Sequence, residues 1–462
     1  MSYRFRVLAS ITSAVLAVSV IGSAVPLRSV SHLLDTTLAG FASPFGEQKV
    51  SPQGPAKVAT AVQDPDQKLK PGVQFTLYRD TNGEIVCRDA TSVEKREMGK
   101  PDLQSLGLRA INHLDTVDKT REIQPSAAPN LTIILRATQQ LQQNPAASAA
   151  FTRAAQNWEN IIKSPVTIYI DVDFGTTGFG QTFPNGVLGA TATASDSYPY
   201  PSVRTNLIAE ASGEGNATKQ GIFNALPSSV VPTDRGDASS TDVADPNARA
   251  LGLLPATAQP QDDAARIAFN SNFTFDFDPN DGITAGATDF DTVATHEIGH
   301  ALGFSSEAGT SLVRASVWDL YRFRTGVSTG TFTSAQRLLT IGGSPDPLQF
   351  FFVPGNVELG LSTGGPDGAT LNGADGWQSS HWKHVSGCSP AYIGIMDPAI
   401  PSGCRRVITD NDKLGLISFG YNLTNNNPPP PPTTAAASSG KRQFRKCTGD
   451  YWLFRKRYRN KL

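Results

Sequence analysis

The sequence predicts an α+β fold, and three stretches carry that reading. In "PAASAAFTRAAQNWENII" the residues Ala150, Ala154, Trp158 and Ile161 recur at helical spacing. In "SPVTIYIDVDFG" Val166, Ile168, Ile170 and Val172 alternate with Thr167, Tyr169, Asp171 and Asp173, the period of a half-buried strand. In "THEIGHALGFSSE", Thr295 to Glu307, the residues Ile298, Ala301, Leu302 and Phe304 give a helix one apolar side, while His296, Glu297 and His300 supply chemistry.

The remaining elements follow in chain order, and 462 residues suffice for two or three domains. "MSYRFRVLASITSAVLAVSVIGSAVPLRS" runs from Arg4 and Arg6 through an apolar stretch to Gly22, Ser23 and Ala24, the layout of a secretory signal peptide over residues 1–24. The run is short for a membrane anchor and diluted by Ser and Thr, and no other segment could span a bilayer. The mature chain is therefore expected to be secreted, extracellular or periplasmic. Residues 25–127, rich in Pro, Gln, Ser and charge, read as a pro-region or small N-terminal domain with strand-like patches at "GVQFTLYRD" and "GEIVCRDAT". The main domain is expected over 128–423. "GVLGATATA" is a second strand candidate there, and 200–262 read as long loops with at most one helix. "ARIAFNSNFTFDFDP" returns to strand character, and "ITDNDKLGLISFGYNL" closes the domain as a helix with Leu414 and Ile417 inward. Residues 424–435 form a stiff Pro-rich linker, and 436–462 a basic tail.

A net charge of -1 argues against a generally nucleic-acid-binding protein. It also conceals an asymmetry: from Lys441 onward nine Lys/Arg face the single acid Asp450, so the tail carries +8 and the rest of the chain -9. Such a tail suits contact with acidic surfaces. The four cysteines of an exported chain permit disulfides. Cys388 and Cys404, bracketing "SPAYIGIMDPAIPSG", are the expected pair, whereas Cys87 and Cys447 stay unassigned.

On a helix His296 and His300 lie one turn apart on one face, where both imidazoles reach one ion. Glu297, offset by about 100°, reaches a metal-bound water. Thr288, Asp289 or Asp291 could cap the helix start, and Gly303 suits its end. A zinc site for hydrolysis needs a third protein ligand and an open position. The elongated motif H-E-x-x-H-x-x-G-x-x-H would put a histidine where this chain has Ser306. Of the six histidines, His32 and His113 precede the main domain, which leaves His381 and His384 in "SSHWKH"; Glu307 and Asp319 are carboxylate alternatives. "DFDPNDG" does not make an EF-hand, because Asp281 would stand at the glycine position and Ala287 at the terminal glutamate, so calcium is unsupported.

"HEIGHALGF", a long insert, "SSHW" and then a Met-Asp-Pro turn resemble the leishmanolysin branch of the metzincin zinc peptidases and related secreted bacterial metalloproteases, over roughly residues 128–423. That resemblance implies a metzincin-like domain with a mixed twisted sheet, an HExxH active-site helix and a Met-turn. It implies one catalytic Zn2+ on His296, His300 and His381, Glu297 as general base, Met396 beneath the metal, and protein or peptide substrates. One departure is Pro398, which stands where some metzincins carry a tyrosine; Tyr392 is nearby in sequence. A thiolate ligates zinc well, so Cys87 could fill the open position in a zymogen, with pairing to Cys447 as the alternative.

The expected reaction is peptide hydrolysis by a zinc-activated water, with Glu297 taking its proton and passing it to the leaving amine. The substrate is expected to add as a strand to the edge at "GVLGATATA". Two competing readings are a secreted metal-binding adhesion protein without catalysis and a gluzincin-type peptidase with a carboxylate third ligand.

Overall fold

A computed structural model describes residues 73–99, 101–114, 130–260, 262, 264–342, 348–365, 373–401 and 403–424. The signal peptide, the basic tail, nearly all of the Pro-rich linker and Cys447 lie outside the described residues.

The centre of the molecule is a mixed eight-stranded sheet in an α+β arrangement. Its strands are β1 (Phe75–Arg79), β2 (Ile85–Asp89), β3 (Arg109–Ala110), β4 (Thr132–Ala137), β5 (Thr167–Gly175), β6 (Val187–Ala192), β7 (Ala265–Asn270) and β8 (Ala399–Ile400). The order across the sheet is β8-β2-β1-β6-β7-β5-β4-β3. β4, β5 and β7 run parallel to one another, and β6 lies antiparallel to β7.

The strand expected to be half-buried is covered on both faces. Its two carboxylates stay inside because each has a partner: Asp171 takes the Arg136 guanidinium at 2.6 Å, and Asp173 accepts from Thr138, from Gln140 and from the Phe179 amide at 2.7 Å. Buried carboxylates are tolerated when their acceptor capacity is used.

Helix α2 (Pro145–Glu159) follows β4 and carries the expected face, with Ala150, Ala154 and Trp158 fully buried. A first, shorter helix, α1 (Ser92–Glu97), follows β2. α2 lies along the helix that bears the histidines, α5 (Phe290–Ala301). Trp158 donates its indole N–H to the Thr295 carbonyl at 2.9 Å, and Phe151 meets Phe290 edge-on. Truncating a buried Trp of this kind costs about 3–5 kcal/mol.

Between residues 200 and 262 the expectation of loops with at most one helix fails. Two helices stand there, α3 (Tyr200–Gly213) and α4 (Ala217–Asn224), with a further short turn of helix at Asp245–Ala250. The buried stripe of α3 is sparse, Tyr200, Val203, Leu207 and Ala211, with Ile208 partly buried beside it and polar or charged residues such as Arg204, Asn206 and Glu210 between. α4 is held by a buried ion pair, since Lys219 meets Glu214 and also donates to the carbonyls of Gly420 and Tyr421. Packing, which composition does not display, makes these helices.

The N-terminal segment also departs from expectation. The strand-like patches at "GVQFTLYRD" and "GEIVCRDAT" do form β1 and β2, but they belong to the main sheet instead of a domain of their own. β1 pairs antiparallel with β6, Phe75 opposite Thr191 and Leu77 opposite Gly189, and β2 pairs antiparallel with β8. Phe75, Leu77, Ile85 and Cys87 alternate inward into the same core, which is why a polar-looking segment is fixed there.

Cys388 and Cys404 form the expected disulfide. On the chain-entropy model a loop of this size contributes about 3 kcal/mol, and it encloses the turn at Met396. The closing helix is α6 (Asp410–Ser418), with Leu414 and Ile417 buried. At "DFDPNDG" the Asp276 carboxylate is occupied by the Thr284 amide and hydroxyl, both at 2.6 Å, as a polar turn requires. No described helix is long and apolar enough to cross a membrane.

Candidate metal centre

Of the three residues that could cap α5, Asp289 does so, accepting from the Thr292 amide at 3.2 Å. Arg405 holds the same carboxylate in place. The helix ends at Gly303, whose φ of 119° lets the chain leave in a direction other residues resist. All of its residues except Asp291 are buried, including His296, Glu297 and His300.

Each histidine is oriented through one ring nitrogen by a backbone carbonyl. His296 Nδ1 lies 2.8 Å from the Ile395 oxygen, His300 Nδ1 2.6 Å from Phe304, and His381 Nδ1 3.0 Å from Gln378. A carbonyl only accepts, so each ring carries its proton on Nδ1 and turns an Nε2 lone pair inward. The three Nε2 atoms converge: His300 to His296 is 3.1 Å and His381 to His296 is 3.3 Å. The Cys87 sulfur stands 3.6 Å from His300 Nε2, and all four donor atoms lie within 4.8 Å of one another.

The separations of 3.1, 3.3 and 3.6 Å are close to those of neighbouring ligands on a single tetrahedral ion. Nitrogens about 2.0–2.1 Å from a tetrahedral metal stand about 3.3–3.4 Å apart, and a sulfur about 2.3 Å out stands about 3.5–3.6 Å from each of them. Without a cation, lone pairs that close would repel, because no proton is left to bridge them. Burial lowers the pKa of all three rings, bringing His296 to about 4 and taking His300 and His381 well below the usual value. Neutral imidazoles are what metal ligation requires.

Glu297 follows His296 on the helix and points into the same space. Its carboxylate is fully buried and neither oxygen makes a well-formed hydrogen bond. Burial pushes its pKa up to about 7, with the Thr191 hydroxyl and the Cys87 thiol offsetting part of the rise. A carboxyl poised near neutrality suits proton transfer. Burial and the neighbouring Glu297 carboxylate push the Cys87 thiol well above its ordinary value.

Met396 is fully buried and packs against α5 where the helix lacks a side chain. A Cβ at Gly299 would collide with the Met396 sulfur, so glycine is needed for this close approach. Ile395, next to Met396, supplies the carbonyl that orients His296.

The alternatives for the third ligand have other duties. His384 Nδ1 pairs with Asp397 at 2.8 Å, and its ring lies on Trp377. Asp319 accepts from the Ser306 hydroxyl, the Glu307 and Ser316 amides and Arg322, deep in the core. Glu307 is buried apart from the histidine and cysteine group. Tyr392 does not face the histidines: its hydroxyl exchanges hydrogen bonds with the backbone of Val407 and its ring lies under Arg406. At Pro398 the carbonyl accepts the Cys87 amide at 2.8 Å.

The edge expected to receive a substrate strand is filled by the chain itself, because β1 lies on β6. Two participants carry no sequence signal of their own. Phe75 stacks on His300 with ring centroids 4.0 Å apart, and Thr191 reaches Glu297 from β6. Only the pairing of two distant strands brings them to the site. No family model, curated protein or solved structure matches the chain.

Proposed function

We propose that the chain is a secreted zinc-dependent endopeptidase of the leishmanolysin-like metzincin type, described here in a latent form. The observation that carries this reading is the convergence of three inward Nε2 lone pairs beside a buried carboxylate, Glu297, that has no well-formed hydrogen bond, with Met396 packed on Gly299 of the same helix. His296, His300 and His381 would hold the ion. Zinc bound there supplies an acidified water and polarises a carbonyl. Glu297 would take a proton from the attacking water and return it to the leaving amine, a role its raised pKa favours. Cys87 and the β1–β2 hairpin would keep the site shut: the thiol would take the position that water needs, and β1 would occupy the β6 edge that a peptide would extend. The segment before residue 128 would then be an inhibitory pro-region that binds as part of the sheet.

One observation favours a second reading, a metal-binding protein without catalysis. Three histidines and a cysteine make a closed four-ligand set, the arrangement of structural zinc sites. Turnover separates the two. Purified protein, freed of its N-terminal segment by limited proteolysis, should hold one equivalent of zinc and cleave a casein-type substrate. Chelator should stop cleavage. Glu297→Ala should lower turnover by about 10²–10⁴ with zinc retained. Zinc at one equivalent with no hydrolysis under any processing would support the structural reading.

A further inference from the structure

We infer that Asp412 is a positioning residue that aims two of the three histidines from behind. The inference rests on the reading of those histidines as a metal site, but it concerns a residue far from the motif.

Asp412 stands at the third position of α6 and its carboxylate is completely buried. Part of its work is local. Oδ2 accepts the Thr409 amide at 2.7 Å and the Thr409 hydroxyl at 3.0 Å, which closes a capping box at the helix start. A cap of that kind works equally well in water. Asp410, two residues earlier on the same helix, is largely solvent-exposed. Burying a carboxylate is costly, and burial indeed raises the pKa of Asp412 against the opposing effect of its hydrogen bonds. The cap alone does not call for that cost.

The remaining bonds leave the helix. Oδ2 also accepts the Ile395 amide at 2.8 Å, and Oδ1 accepts the Trp382 indole N–H at 2.8 Å. Gly394 sits directly against the carboxylate, where a Cβ would run into Oδ1. Each of the two gripped residues leads to a histidine. The carbonyl of Ile395 orients His296, and Asp412 holds the amide of the same residue, so the backbone on one side of that carbonyl is anchored. Trp382 follows His381 in sequence, and its own amide donates to the Met396 carbonyl at 2.9 Å. One carboxylate thus ties the Met396 turn and the His381 segment to a single rigid helix end. Partners beyond the ligands set ligand orientation, and losing one typically weakens metal binding about 10–100-fold.

Asp412→Asn in the full-length chain is the test, because the amide nitrogen would face the Trp382 or Ile395 N–H, donor against donor. We expect the dissociation constant for zinc to rise about 10–100-fold and the visible spectrum of the cobalt-substituted protein to change. Thr409→Ala is the comparison: it removes the capping hydroxyl and its bond to the Ile393 carbonyl, while the Asp412 bonds to the Ile395 amide and the Trp382 indole stay. It should lower thermal stability without altering zinc affinity or the cobalt spectrum. Trp382→Phe removes only one donor and should shift affinity the same way by less, which keeps the idea testable if Asp412→Asn does not fold. Asp412→Asn or Trp382→Phe with unchanged affinity and spectrum would overturn the inference, as would Thr409→Ala matching Asp412→Asn in both. If the unaltered chain binds neither ion, the metal reading fails first and this inference with it.

Discussion

His296 and His300 reach the site from a helix buried on nearly every side, whereas Cys87 reaches the same point from a five-residue strand. The helix is fixed by α2 through Trp158, by the Met396 turn through Gly299 and by its Asp289 cap. The strand is fixed by one buried face, with Phe75, Leu77 and Ile85 in the core, and by its edges: β1 against β6, β2 against β8, and at the hairpin tip Arg79 on Thr288 and Glu84 at 3.7 Å from His384. An element held by packing on all sides keeps its geometry when one contact is lost. A hairpin that packs one face and pairs at its edges can be exchanged as a unit, because another strand can satisfy the same backbone groups. On the proposed latent form, the floor of the site would persist and its cover would be replaced.

The largest expected effect breaks the floor. In the processed form, freed of Cys87, His381→Ala should reduce bound zinc from one equivalent to near none and abolish hydrolysis, since two histidines cannot hold the ion tetrahedrally. His384→Ala should keep the metal, as its ring nitrogen is engaged by Asp397. Metal analysis of the two variants checks this, and metal loss only in His384→Ala would reassign the ligand. Asp319→Ala should instead destabilise the fold, because it strands the buried Arg322, at a cost of about 3–5 kcal/mol.

Changing the cover should be milder and of opposite sign. Cys87→Ser should raise the basal peptide hydrolysis of the full-length chain, since losing even about 1.4 kcal/mol of attachment shifts the open fraction roughly tenfold. If the variant stays as inactive as the unaltered precursor, Cys87 does not hold the cover down.

Acidification sharpens the comparison through charge. For a histidine whose folded pKa is lowered, stability is present above the unfolded pKa, near 6.5, and is lost as pH falls toward the folded value, about 4 for His296. Glu297, raised from 4.5 to about 7, works the other way: its contribution is present below 4.5 and is lost as pH rises through 7. The His296 and Glu297 contributions are each on the order of 3 kcal/mol and roughly cancel. His300 and His381 add to the side of His296. The metal-free protein should therefore lose stability between about pH 6.5 and 4.5, and denaturant midpoints across that range would measure it. A midpoint that rises on acidification would mean the rings are not buried neutral.

The smallest effect lies under the helix. Gly299→Ala forces a methyl against the Met396 sulfur and should destabilise by about 1–3 kcal/mol, read as a lowered denaturant midpoint.

How much of this was legible in the sequence follows the same division. The spacing of His296, Glu297 and His300 is local to one helix turn, so their common face could be read directly, as could the α2 face and the Cys388–Cys404 pair. His381 was reached through a resemblance and a short supply of histidines, and the structure sets it against His296. What could not be read depends on pairing between distant segments. Nothing in "GVQFTLYRD" announces that Phe75 will stack on His300, and Asp412 looks like an ordinary helix cap until Ile395 and Trp382 come to it. That more than one helix stands between 200 and 262 could not be read either, because the apolar residues of α3, interrupted by Arg204, Asn206 and Glu210, give a weak period that the surrounding core completes.

X-ray absorption at the zinc edge of the full-length protein tests the central claim most directly. Three histidines and the cover's thiol around one ion predict three nitrogens at about 2.0–2.1 Å and one sulfur at about 2.3 Å, with the sulfur lost in Cys87→Ser. A shell of nitrogen and oxygen alone in the unaltered precursor would contradict it, because Cys87 would then stand beside the metal without holding it.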